Sequence, residues 1–404
     1  MDVAKLISSA PAEPQDGEAF CLSEVGAARE MPDAEQSPAA SRAPAKLPLL
    51  SFIVVNYNYG RFLETCVVSI MEQNYPNIEC LIVDNASTDI SVSVIDSLER
   101  RYPALQILRN STNLGQNGAC CLGLTRTRGS YVAFIDADDY LFPFYAATHI
   151  RVHLVLRGGI GFTSGDMVQM VDDTIVRGNY IDPSWVQGWV VPPSKFGLND
   201  IRDISAAVGT DFLESPEFAA KAHVLSGNFI DWAWAPTSGN VYRRDALSLL
   251  ADNPRLIELK FATDAYYNFT LNAWMGSALI EKSLAVYRIH GANNFCKRAT
   301  MQAVLTFNKD TDDGPRAAFF ALEYITSEFD KFLSLFGNAE ILLATLKVLK
   351  KRANRYNNNF FERYFLAYTK RYFTYLVNGL RGRFAGSSVL ERQARERDRD
   401  GRAQ

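Results

Sequence analysis

The chain is informative first for what it lacks. Its six cysteines form no CxxC pair, which excludes a zinc ribbon and a thioredoxin-type redox motif. Cys66 falls in an apolar helical pattern and Cys80 in an apolar strand pattern, so buried free thiols are expected. There is no Walker A sequence, and no GxGxxG follows the first strand pattern. A nucleotide bound here must be held by something other than a glycine-rich loop. No uninterrupted apolar run approaches the roughly 20 residues needed to span a bilayer, and the N-terminus has no basic stretch leading into an apolar one. These absences predict a cytoplasmic protein, soluble or attached to the cytoplasmic face of the membrane. Histidine is scarce, with four residues, and the formal net charge of -3 points to no global partner.

What is present is an ordinary core-forming composition, 48% hydrophobic over 404 residues, with unlike ends. Residues 1–46 carry eight acidic side chains against four basic ones, and residues 344–404 carry fifteen basic against five acidic. The first segment is rich in Ala, Pro, Glu and Ser without periodicity and reads as a disordered leader. Order begins at Pro48. Leu49 to Val55 is a short apolar run, as in a strand buried on both faces. Phe62, Leu63, Cys66, Val67, Ile70 and Met71 then recur at helical spacing. Further strand patterns are Ile78–Val83, Leu105–Leu108 and Tyr131–Ile135, and further helical ones are 91–101 and Gly115–Thr127. The alternation predicts an α/β fold with a mostly parallel sheet flanked by helices.

Ligands of such sheets bind beyond the carboxyl ends of the strands. Asn56, Asp84 and Asp136 each follow the last apolar residue of a strand pattern, so three polar groups converge on one crevice. One of them is multiplied into Asp136-Ala137-Asp138-Asp139. Three carboxylates in four residues repel one another unless a cation or strong donors compensate. Hard oxygen ligands suit Mn²⁺ or Mg²⁺, with positions left for phosphate oxygens. The alternative is a solvated turn whose Asp residues cap the helix starting near Phe144.

These residues resemble glycosyltransferase family 2, which has the GT-A fold. The resemblance rests on Val54-Val55-Asn56-Tyr57-Asn58, on Leu81 to Asp89 (LIVDNASTD), on Asn113-Leu114-Gly115, and on Gly129 to Asp139 (GSYVAFIDADD). It covers about 49–145 closely and 226–295 more loosely. It implies an inverting, metal-dependent sugar transfer from a UDP- or dTDP-sugar to a hydroxyl of a glycan or lipid-linked acceptor, in surface polysaccharide or glycoconjugate synthesis. Asn56, Tyr57, Asp84, Asn85, Asp136 and Asp138 would hold the donor nucleotide, and Asp138 and Asp139 the metal. The side-chain oxygen of Asn85 could accept from a pyrimidine N3–H. Two positions depart from the family pattern. Asn85 stands where many members have Asp, and Ala119-Cys120-Cys121 stands where many have Ala-Arg-Asn.

The resemblance also places an acid late in the domain, in an apolar and aromatic helix. Asp264, in Phe261 to Tyr267, is the candidate catalytic base, or else a helix-start acid stabilised by the dipole. His290, in Tyr287-Arg288-Ile289-His290-Gly291, is either a third metal ligand or a satisfied histidine. The segment Thr237-Ser238-Gly239-Asn240 resembles the acceptor side. Asn240 is expected to touch the acceptor, and Trp232 and Trp234 either stack on a sugar ring or pack in the core. Residues 160–225 carry no readable pattern.

Beyond about residue 315 the pattern becomes helical, through Phe319, Phe320, Leu322, Tyr324 and Ile325 and then Leu342–Leu349. Phe360–Leu380 interleaves aromatics with basic residues. Such a segment either meets an anionic membrane surface or packs on the catalytic domain. No nucleic-acid motif accompanies it, so no nucleic-acid partner is expected. The expected organisation is a leader over 1–46, a catalytic domain over 47–305 (donor half 47–145, acceptor half 146–305), a helical extension over 306–385 and a disordered charged tail over 386–404. Two rival functions remain at this level, a non-catalytic nucleotide-sugar binding or scaffold protein and a nucleotidyltransferase.

Overall fold

The computed structural model describes residues 20–21, 45–178, 183–259, 261–291, 293 and 313–353. The Phe360–Leu380 stretch, the tail over 386–404 and the 305/306 boundary fall outside the described residues. The donor half is built as the alternation predicts. Strands β2 (Leu50–Asn56), β3 (Ile78–Asp84), β4 (Gln106–Arg109) and β5 (Tyr131–Asp136) are all parallel, in the order β5-β2-β3-β4. Helices α1 (Gly60–Met71), α2 (Ser91–Arg101) and α3 (Gly115–Arg126) connect them. The apolar run of β2 divides between two cores. Leu50, Phe52 and Val54 pack with α1 on one face, and Ile53 packs with α3 on the other. That two-sided burial is why the strand reads as continuous rather than alternating. Gly123 allows the close seat of α3, because a Cβ there would lie 2.5 Å from Ile53 Cγ2.

The acceptor half extends the same sheet with mixed polarity. Its strands are β6 (Tyr140–Leu141), β7 (Phe162–Val171), β8 (Thr174–Arg177), β9 (Lys221–Leu225), β10 (Asn240–Arg243) and β11 (Ser277–Ile289). β10 lies antiparallel between β5 and β7, β11 runs parallel to β7, and β9 and β6 pair antiparallel with β11. The parallel expectation therefore holds for the strands that carry the α/β alternation, and the rest of the sheet is mixed. Helix α4 (Tyr145–Val155) covers one face. The short α5 (Pro193–Phe196) and α6 (Ile201–Val208) fall in the region without a readable pattern, and α7 (Arg244–Ala251) follows β10. Within the leader, Phe20–Cys21 (β1) pairs with Lys221 and Ala222 at the sheet's edge.

Helix α8 (Thr263–Met275) bears Asp264 and is covered by the described part of the extension, α9 (Asp313–Ser327), α10 (Phe329–Phe336) and α11 (Ala339–Ala353). Trp274 stacks on Phe336 at 4.5 Å between ring centres, and Thr345 Oγ1 donates to Ala273 O at 3.2 Å. The Arg352 guanidinium sits 3.7 Å from the centre of the Phe269 ring. These described helices pack on the catalytic core and share its second apolar cluster. No helix among the described residues is long and apolar enough to cross a membrane. Phe332 is fully buried, so Phe332→Ala should cost about 3–5 kcal/mol and lower the melting temperature of one cooperative transition. A separate early transition, with the main one unmoved, would show instead that the extension folds apart from the core.

Candidate active site

The site is built from strand ends. β2 and β3 are in register with Asn56 opposite Asp84, and β2 and β5 with Val55 opposite Asp136. Asn56 Nδ2 donates to Asp84 Oδ1 at 2.9 Å and to Ser87 Oγ at 3.1 Å, while Asn56 Oδ1 is buried without a partner. Tyr57 follows at the rim, 43% exposed. Asn85 is buried and fully engaged. Its Nδ2 donates to Asn113 Oδ1 and Gly115 O, and its Oδ1 accepts from Asn110 Nδ2 and Leu114 N. With its amide filled by the chain, Asn85 braces the loop leading into α3. The pyrimidine contact expected of its oxygen has no free acceptor in this arrangement.

The acidic loop between β5 and β6 is pinned by β11. Leu141 and Tyr140 pair with Ala285 and Val286, and two residues further on Arg288 reaches under the loop. Its guanidinium donates to the backbone carbonyls of Asp138, Asp139 and Phe62, and its amide donates to Asp139 Oδ1 at 3.2 Å. The rings of Phe62 and Tyr140 flank it at 4.7 and 5.4 Å. The carboxylates below remain costly. Burial, then the charge of Asp138, pushes Asp136 up to about 7. Burial and the charges of Asp138 and Asp136 push Asp139 well up, against the Ser238 hydroxyl and the Arg288 amide.

His290 lies beside Asp138, Nε2 to Oδ2 at 3.0 Å, and Asn293 Nδ2 is 3.3 Å from the same oxygen. Phe62 packs on the imidazole at 4.4 Å and Tyr59 at 5.5 Å. Of the expected metal ligands, Asp138 and Asp139 share the loop after β5 and His290, just past β11, lies against Asp138. Among the described residues no three His, Cys, Asp or Glu side chains are grouped to hold an ion. Asp139 turns inward to the Arg288 amide, and His290 meets Asp138 directly. The charge balance nevertheless fits a divalent cation, because Asp139 Oδ2 is buried without a partner and the neighbouring acids repel. Mg²⁺ and Mn²⁺ also keep water and phosphate oxygens in their shells, so few protein ligands suffice.

Opposite stands Asp264, in the first turn of α8. Burial raises its carboxyl to about 6, opposed only by the backbone amides of Ala265, Thr237 and Asp264 itself. Oδ1 accepts from Ala265 N at 2.8 Å. The residue before the helix, Ala262, is left-handed at φ 66°. The turn Thr237–Gly239 reaches both the acidic loop and Asp264. Ser238 Oγ accepts from Asp136 N at 3.1 Å, the Thr237 hydroxyl bonds the Asp136 carboxyl, and the Thr237 amide bonds Asp264.

The strand-end residues Asn56 and Asp84 and the Asp136–Asp139 loop fall within the segment that the sequence comparisons match. The family model for glycosyl transferase family 2 matches residues 51–147. An uncharacterized glycosyltransferase of Nostoc sp. is 30% identical over 256 residues, 62% of this chain and 68% of its own length. The chain belongs to glycosyltransferase family 2. Glycosyltransferase GlyG of Streptococcus pneumoniae is 30% identical over 132 residues, 33% of this chain, and the match spans only 39% of that protein. Among solved structures, S. aureus TarS in complex with UDP aligns at TM-score 0.40 and 17% identity, over 76% of this chain and 83% of that one.

The three residues considered for the acceptor side of this glycosyltransferase are packed into its interior to different degrees. Trp234 is fully buried among Phe162, Phe229 and Phe269, with its indole donating to Ser277 Oγ at 2.9 Å. Trp232 packs edge-on to Trp234 and Phe269. Asn240 is buried and donates to the carbonyls of Ala235, Pro236 and Thr237. Trp234 is thus a core residue, Trp232 packs against it while staying half-buried, and Asn240 shapes the Thr237 turn. The residues that sequence reasoning left unassigned are Arg288, Thr237, Ser238, Asn293 and Gln116. Arg288 lies in the quoted His290 segment, but nothing local marks it as the support of a loop some 150 residues earlier. Replacing it in Arg288→Met strands three enclosed carbonyls. The expected loss is on the order of 3 kcal/mol, with weakened nucleotide binding, measured by thermal unfolding and calorimetry. Unchanged values for both would remove Arg288 from the support of the loop.

Proposed function

We propose that this glycosyltransferase is inverting and metal-dependent and moves a sugar from a UDP- or dTDP-sugar to a hydroxyl of a glycan or lipid-linked acceptor. The observation that carries the proposal is Asp264, a buried carboxyl held by backbone amides in the same crevice as the acidic loop, with an affinity for protons raised to about 6. A general base works best when its pKa lies near the operating pH, so that it is ionised yet basic enough to take a proton.

In the proposed reaction Asp264 takes the proton of the acceptor hydroxyl. The freed oxygen attacks the donor's anomeric carbon as the bond to the diphosphate oxygen breaks, and the configuration inverts. Asn56, Tyr57 and Asp84 line the nucleotide end, with Asn85 bracing the loop behind them. Asp138 and Asp139, with His290 alongside, would hold Mn²⁺ or Mg²⁺, which supplies positive charge to the leaving diphosphate. Arg288 keeps that loop in place through its backbone, and the aromatic rings around His290 limit its freedom to turn.

Asp264→Asn keeps the size and loses the base. Turnover should fall about 10²–10⁴-fold while nucleotide binding, read by calorimetry, stays within a few-fold. Retained turnover would remove the base assignment. In the wild-type enzyme, protonation of Asp264 abolishes the base, so kcat/KM should rise with pH through about 6 and level off above. A profile flat from pH 5 to 8 contradicts the assignment. Asp138→Ala and Asp139→Ala should each abolish the Mn²⁺-dependent thermal shift given by the donor, since only ligands bound to the native state raise its stability. A shift that survives both changes would rule out the metal role. Absence of any nucleotide-sugar hydrolysis by the wild-type protein with Mn²⁺ would favour the binding or scaffold alternative.

A further inference from the structure

The first turn of α3 touches both sides of the crevice. Gln116 Nε2 donates to Asp136 Oδ1 at 2.6 Å, and Gln116 Oε1 accepts from Thr263 Oγ1 at 3.3 Å. Thr263 opens α8 and directly precedes Asp264. The next residue, Asn117, is fully buried, and its Nδ2 donates to Leu259 O at 2.7 Å and to Phe261 O at 2.9 Å. Two consecutive amides thus grip the segment that enters α8 on either side of the left-handed Ala262. A non-glycine residue in that conformation is strained and persists only where its surroundings hold it.

The chemistry of position 116 is restrictive. Gln116 donates to the Asp136 carboxyl with one atom and accepts from the Thr263 hydroxyl with the other. An ionised Glu could not make the first of these bonds, because it cannot donate. Behind Gln116 the chain of contacts continues, because Gly115 O accepts from Asn85, which adjoins Asp84. The carboxylates of Asp136 and Asp264 repel, and Gln116 adds to the Thr237 turn a second link between the elements that carry them.

We infer that Gln116 is a positioning residue that holds the start of α8, and with it the Asp264 carboxylate, in register with the acidic loop. The inference rests on the transferase reading for its kinetic consequence and on hydrogen bonding alone for its structural one. A misplacement of about 1 Å in a reacting group can cost about 10²-fold in rate, which sets the scale of the effect.

The test uses the full chain with Gln116→Met, which keeps the length and loses both bonds, and Thr263→Val, which removes only the hydroxyl. Hydrolysis or transfer is followed with UDP-glucose, UDP-N-acetylglucosamine and dTDP-glucose in the presence of Mn²⁺. UDP binding is measured by calorimetry, and hydrogen exchange is followed across 255–275. Each variant should lower kcat about 10–100-fold, with UDP affinity within about threefold. The double variant should be no worse than the poorer single, because both cut one link. Exchange should accelerate in the first turn of α8 and stay unchanged at its far end. A kcat within twofold of wild type, or additive losses in the double variant, overturns the inference. If the wild-type protein turns over none of the three donors, the transferase reading fails on its own. The exchange result then decides for Gln116, and unchanged exchange in both variants overturns it.

Discussion

Everything around the crevice answers one constraint, the mutual repulsion of four acids drawn together by the sheet. Strand geometry leaves no choice about Asp136, because β5 ends there and its neighbour β2 ends beside it. Asp138 and Asp139 then fall in a loop that must turn back to pair with β11. Water cannot dissipate the charge, since Asp139 and Asp138 are almost wholly enclosed. The chain compensates with donors rather than with paired cations. Arg288 spends its guanidinium on carbonyls, and only backbone amides and hydroxyls reach the carboxyls of Asp139 and Asp264. A buried carboxylate with such partial compensation keeps a high proton affinity. That is a suitable state for a base, and a suitable state for a group awaiting a cation.

The second consequence is that the support is distant in sequence. β11 is thirteen residues long, and its last turn of chain carries both Arg288 and His290 to a loop fixed by β5. The extension takes part in the same way. By covering α8 from behind, α9 and α11 leave its first turn free to face the acidic loop while its far end is locked by Trp274 and Thr345. Rigid elements hold a site more closely than loops do, and here Asp264, the proposed base, stands on a helix buried along nearly all of its length.

The donor half was legible because its strands are buried on both faces and give unbroken apolar runs, each stopped by a polar residue at the ligand end. Asn56, Asp84 and Asp136 could be placed in one crevice from that pattern alone. The acceptor half was not legible in the same way. β10 enters antiparallel between β5 and β7, and no local period announces a strand of four residues inserted from a later part of the chain. Trp234 and Asn240 show why residue type misleads there. An indole and an amide suit a sugar, but they equally suit a core in which Ser277 accepts from the one and the other donates to a turn. Burial decides between these roles, and burial depends on contacts far away in sequence. Gln116 has no signature at all, since its meaning comes from Asp136 and Thr263 lying on either side of it.

The departure at Cys120-Cys121 is clearer in this light. Cys120 is fully buried in the apolar cluster between α3 and the sheet, beside the Thr263 hydroxyl, and Cys121 Sγ lies 3.8 Å from Tyr267 OH. A long cationic side chain at 120 would have to leave this packed space or displace it. Gln116 stands four residues earlier, on the same face of the helix, and makes a polar contact to Asp136 of the acidic loop. The helix therefore meets α8 through a thiol and apolar contact in its second turn and through two amides in its first. A neutral amide adds no charge beside Asp136.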